Sequence, residues 1–138
     1  IKMKEELKGP KVENVAVAIV QTKPDAEDKE HYVYLLNLRD DIMEGIIVSS
    51  TGYGENLVTG EKIKTSTLRH GIEVMLPNEA ARIEPIMPEV FGIANEYWVS
   101  FWVDEVLHDK QFLFPPESII LSNFNHMEAF QKKGLLAQ

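Results

Sequence analysis

Residues 95–116, NEYWVSFWVDEVLHDKQFLFPP, alternate between apolar and polar, pause at two acids and alternate back, and they hold both tryptophans of the 138-residue chain. Successive side chains of a strand point to opposite faces of a sheet, so the segment reads as a long β-hairpin. One face carries Tyr97, Val99, Phe101 and Val103; the other carries Trp98, Ser100, Trp102 and Asp104. A two-residue turn at Asp104-Glu105 sets Phe112 opposite Tyr97 and Trp102 beside Leu107. Glutamate is a poor occupant where a primed turn favours glycine, so a longer loop through His108-Asp109 is the competing register. The Tyr97 face is the expected core. The tryptophan face, diluted by Ser100, Asp109 and Gln111, is left for the surface, a partner interface or a covering tail. Pro115-Pro116 stops the return strand, because proline gives the ladder no donor.

The remainder supplies further strands around this hairpin. Residues 12–22 (VENVAVAIVQT) are rich in β-branched side chains, with Val15, Val17 and Ile19 on one face and Ala16, Ala18 and Val20 on the other. The small second face invites a close second layer. Residues 31–38 (HYVYLLNL) are apolar on both faces and read as a central strand. After a turn at 39–44, residues 45–51 (GIIVSST) form the next strand, and the two are expected as a meander of adjacent antiparallel strands. Residues 52–60 (GYGENLVTG) read as a loop exposing Tyr53. Residues 61–76 hold one or two strands with Gly71 as a bulge or bend, and 80–86 (AARIEPI) reads as an edge strand, because an edge tolerates the missing amides of Pro85 and Pro88. Val90, Phe91 and Ile93 are expected to plug one end of the core. Near the C-terminus, 125–133 (NHMEAFQKK) reads as a short helix capped by Asn125 and closed before Gly134. Phe124, Met127 and Phe130 recur every three residues, a stripe that must dock on its own sheet or on a second subunit. The chain divides on this reading into an arm at 1–11, a β domain at 12–116 and a tail at 117–138.

Composition limits the chemistry. The chain has no cysteine, which excludes disulfides, thiolate catalysis and Cys-ligated metal sites. A formal net charge of -8 without a Lys/Arg cluster disfavours nucleic acid and anionic membrane surfaces. No apolar run approaches the roughly 20 residues that span a bilayer, and no secretory signal pattern is present. A cytoplasmic setting is the expectation, compatible with a leader removed before Ile1.

Catalytic patterns are weak. His31, His70, His108 and His126 show no metal-ligand spacing, and His108 and Asp109 point to opposite faces of a strand. The carboxylates of the polar loop 23–30 (KPDAEDKE) lack the glycine and terminal glutamate of an EF-hand. The run from Ser49 to Gly54 lacks the lysine of a phosphate-binding loop, and no Gly-x-Ser-x-Gly elbow is present. No catalytic residue, metal site or cofactor is therefore assigned.

The expected architecture is all-β: a two-sheet antiparallel β-sandwich of seven or eight strands with a short C-terminal helix, a small antiparallel barrel being the alternative. HYVYLLNLRDD resembles an inner strand of immunoglobulin and fibronectin type III domains ending in an Asn-Leu-x-Asp turn; EVMLPNEAARIEPI resembles their strand–proline turn–strand step, and the 95–114 hairpin their closing pair. The inter-sheet disulfide of antibody domains is missing. The chain as a whole also resembles a bacterial family that supplies no functional residues to carry over. Three function classes follow. The first is an interaction domain that self-associates through Trp98 and Trp102, with Phe124, Met127 and Phe130 as the docking tail. The second is a carbohydrate- or peptide-binding module using Trp98, Trp102 and Tyr53. The third is a hydrolase-like enzyme, which requires a pocket joining His70 to Glu73 or another carboxylate.

Overall fold

In the computed structural model, residues 10–22 and 30–138 are described; most of the expected N-terminal arm and residues 23–29 of the acidic loop lie outside them. Within the described residues ten strands form two antiparallel sheets: β1 (Val15–Gln21), β2 (His31–Asn37), β3 (Met43–Glu55), β4 (Lys62–Lys64), β5 (Leu68–Met75), β6 (Ala80–Pro85), β7 (Ala94–Val103), β8 (Val106–Phe114), β9 (Asn125–Met127) and β10 (Lys132–Ala137). The first sheet has the order β6-β2-β1-β10-β9; the second has β4-β3-β7-β8, with β5 also on β3. The sheets do not close into a barrel. Among the described residues no helix is long and apolar enough to cross a membrane.

The alternation of the β7–β8 hairpin decides which way the second sheet faces. Asp104 and Glu105 both adopt positive φ, at 46° and 65°, the conformation a two-residue type I′ turn requires. The resulting register pairs Tyr97 with Phe112 and Trp102 with Leu107. Tyr97, Val99, Phe101, Phe112 and Phe114 then face Val15, Val17, Ile19, Val33 and Leu35 of the first sheet in one buried cluster. Each such side chain contributes about 1.5–3 kcal/mol by leaving water.

Three local expectations are corrected. Strands β2 and β3 are not meander neighbours, for they lie in different sheets. Buried Asn37 anchors the crossing between them: its amide donates to the carbonyls of Asp41, Met75 and Leu76, and its Oδ1 accepts from Arg39 N. The loop expected at 52–60 starts late, because β3 continues to Glu55 and pairs there with β4. The helix expected at 125–133 is a β-hairpin, β9 and β10, turning at 128–131. A helix of nine residues is marginal by itself, whereas the free edge of β1 offers a ladder that β10 completes from Val17 to Val20.

The C-terminal segment thereby docks on its own chain. Phe124 is buried in the main core. Met127 and Phe130 pack over Ala16, Ala18, Val20 and Leu36 on the outer face of the first sheet, and Phe130 lies against the Tyr34 ring with centroids 4.7 Å apart. The small residues of β1 admit this layer. Gly134 admits it too, since a Cβ there would collide with Met127 Sδ.

Candidate functional site

Strand β3 builds two concave surfaces, one on each face. Its alternate residues Ser49, Thr51 and Tyr53 point outward, while Ser50 and Gly52 point between the sheets. Its outer edge is shared: β4 pairs with Tyr53–Glu55 and β5 with Met43–Ser50. Thr65 bridges the break between β4 and β5, its backbone N–H donating to Gly52 O and its Oγ1 accepting from Gly52 N, both at 2.8 Å.

On the outer face, cross-strand register sets the side chains in rows. Val74, Glu44, Trp102 and Leu107 form one row; Gly71, Ile47, Ser100 and Asp109 the next; Arg69, Ser49, Trp98 and Gln111 the third. Beyond them an open groove of about 600 Å³ is lined by Thr51, Tyr53, Lys64, Arg69, Glu96 and Trp98, among others. The structure therefore brings two of the three expected binding residues, Trp98 and Tyr53, into one groove. Trp102 stands two rows away on the same face, between Glu44 and Leu107. The C-terminal segment covers the opposite sheet and leaves both indoles about half exposed.

Between the sheets, where β5 and β6 are neighbouring edges, lies a cleft of about 280 Å³. Glu84 Oε1 accepts from Ser50 Oγ at 2.7 Å and lies 3.0 Å from His70 Nε2. Tyr97 lines the same cleft at 2 % exposure. Burial, with the Glu84 charge second, pushes its phenol far above the ordinary range, so it is a hydroxyl at any physiological pH. His70 does meet a carboxylate, and that carboxylate is Glu84. The order is serine–carboxylate–imidazole, so the imidazole does not sit on the serine as a general base must.

Glu84 escapes a period-two reading for a physical reason. Alternation puts Arg82 and Glu84 on one face of β6. A bulge between Val33 and Tyr34 pairs Tyr34 with Arg82 but Val33 with Glu84, and such an extra residue reverses the face. Arg82 therefore lies outside, 4.0 Å over the Tyr32 ring and bonded to Tyr34 Oη, while Glu84 turns inward.

The other histidines have structural surroundings. His108 is buried and stacked on Phe101, with centroids 5.0 Å apart, and its Nδ1 meets Val106 O. Asp109, beside it in sequence, pairs with Ser100 on the opposite face. His31 packs edge-on against Phe91 and Phe124. His126 lies 3.7 Å from Glu128 on the surface. Among the described residues no group of three or more potential metal ligands converges.

No known protein family matches the chain, and no curated protein matches it either.

Proposed function

We propose that the chain is a non-catalytic interaction domain that pairs with a second copy of itself through the outer face of the second sheet. The observation that carries this is the exposure of five large apolar side chains on that one face: Ile47, Val74, Trp98, Trp102 and Leu107, each between 44 and 50 % exposed. Single exposed apolar residues are ordinary, but a contiguous set marks an interaction surface. Tryptophan is also the residue most often found at the energetic centre of an interface.

The occupant follows from size and charge. Four strands about 4.8 Å apart and ten residues at about 3.4 Å each give a face of roughly 600 Å², somewhat below the ~800 Å² per partner of a standard interface. Acidic Glu44 and Asp109 lie in the apolar rows, and toward the groove basic Arg69 and Lys64 outnumber acidic Glu96. A two-fold axis through the middle of the face sets each acidic end over the other copy's basic end. Such isologous pairing is the commonest form of homodimer.

The strand order supports the finer fold reading. With β1, β2, β3, β5, β6, β7 and β8 lettered A, B, C, C′, E, F and G, the sheets are E-B-A and C′-C-F-G. That is the neighbour pattern of immunoglobulin-like sandwiches, extended here by β10 and β9 beyond strand A. This likeness is an analogy of fold and not evidence of activity.

A second reading rests on the groove. Tyr53 and Trp98 flank Ser49, Thr51, Thr67, Arg69 and Glu96, which sets aromatic rings beside both donors and acceptors, a combination that suits a sugar. Light scattering separates the two. Twice the monomer mass for the native chain and the monomer mass for Trp102→Glu support self-association. A native monomer whose tryptophan emission responds to a glycan replaces it with the second reading.

A further inference from the structure

The cleft between β5 and β6 is separate from the outer face and is not used by the pairing proposed above. It combines three features that an ordinary gap in a sandwich core lacks. Its walls are mainly apolar, from Leu68, Pro85, Ile86, Met87 and Val90. It holds an acid whose side chain is only 13 % exposed, Glu84. It also holds a tyrosine at 2 % exposure, Tyr97.

The polar groups are arranged asymmetrically. Both hydrogen bonds to Glu84 from the described residues fall on Oε1, from Ser50 Oγ and His70 Nε2. Oε2 receives none, and among the described residues no lysine or arginine forms an ion pair with Glu84. Oε2 is not sealed from solvent, so it is open to a donor that enters the cleft, and a charged donor serves a carboxylate best. Tyr97 lines the same cleft. Ser50 and His70 hold the carboxylate from the side away from the free oxygen and so fix its direction.

We propose that this cleft binds a small organic cation, an ammonium group on a short apolar body, with Glu84 Oε2 and Tyr97 Oη as its polar partners. The ammonium takes the free carboxylate oxygen, and the apolar body lies against Leu68, Ile86 and Met87. A neutral alcohol of equal size gains the same apolar contact without the charge. A carboxylate of equal size meets Glu84 with repulsion. The cleft therefore discriminates by charge before it discriminates by shape.

The test titrates the full chain with n-butylammonium, n-butanol and butyrate while following backbone amide resonances. Butylammonium is expected to shift resonances of β3, β5 and β6 around the cleft, with n-butanol weaker by about tenfold or more and butyrate without effect there. Glu84→Gln is expected to reduce amine binding to the level of the alcohol. Should that variant fail to fold, Leu68→Trp, at a half-exposed position on the cleft wall, must abolish the amine shifts. Trp102→Glu must leave them unchanged, which keeps this result distinct from the pairing of the outer face. Equal binding of amine and alcohol overturns the proposal. So do the absence of amine shifts at the cleft, undiminished binding by folded Glu84→Gln, and amine shifts that survive Leu68→Trp.

Discussion

The indole of Trp102 lies across Gly45: a Cβ on that glycine would stand 3.1 Å from Trp102 Cδ1. Gly45 has φ of +52° and sits in the irregular step of the β3–β7 ladder between Glu44 and Ile47. The exposed indole is thus seated by a backbone feature of the neighbouring strand. Gly45→Ala adds a side chain where φ is positive and where the indole already lies. The expected cost is about 1–2 kcal/mol, read by denaturant unfolding, with a shift in tryptophan emission of the folded state. An unchanged midpoint and spectrum would show that Trp102 does not depend on this seat.

Phe130 tests how the C-terminal segment is used. It covers Ala16, Ala18 and Val20 on its own sheet and packs at a tilt against the Tyr34 ring. Phe130→Ala is expected to lower stability by about 1–3 kcal/mol, the half-buried site costing less than a full core truncation. The solution mass should not change. A loss of mass with little loss of stability would instead assign this segment to a subunit contact.

Asn37 is fully buried and its amide serves three carbonyls. Asn37→Asp replaces those donors with acceptors and leaves the carbonyls facing a carboxyl group. Destabilisation of about 3 kcal/mol or more is expected, measured by thermal or urea unfolding. Asn37→Ser, which keeps one donor, should cost less. Equal losses would mean that packing and not donation fixes the crossing.

Arg39 and Asp41 form a two-pronged pair, Nε to Oδ1 at 2.7 Å and Nη2 to Oδ2 at 3.0 Å. Hydrogen bonding from Arg39 is the main cause that holds the Asp41 carboxyl below its usual range. A depressed folded value stabilises above the unfolded value, near 4, and that stabilisation is lost as pH falls through the folded value. Because the Asp41 side chain is 36 % exposed, solvent screening limits the effect to less than about 1 kcal/mol. Asp41→Asn should therefore be slightly less stable than the native chain at neutral pH, and the gap should close as pH falls through the folded value. A gap that persists in acid would assign it to lost packing.

Much of this was legible in the sequence, and the exceptions have identifiable causes. The β7–β8 hairpin follows from alternation, while the choice between its two possible turns falls to Asp104 and Glu105, whose positive φ sets the Tyr97–Phe112 register. The separation of β2 from β3 does not follow from alternation, since it depends on the long-range bonds of Asn37 to Met75 and Leu76. The strand β10 was hidden because its partner, β1, lies more than a hundred residues earlier, while the three-residue spacing of Phe124, Met127 and Phe130 fits a helix as well as a hairpin. At the candidate sites, Trp98 and Tyr53 could be named from residue type. Glu84 could not, because a bulge decides which way it points.

Concentration-dependent quenching of tryptophan by acrylamide tests the central claim most directly. The chain has two tryptophans, and both lie on the face proposed to pair, so every indole photon reports on that face. The account predicts strong protection at high protein concentration that gives way to solvent-like quenching on dilution, with Trp98→Phe and Trp102→Phe each reporting the same transition through the remaining indole. Quenching that is solvent-like and unchanged across the whole concentration range would contradict it.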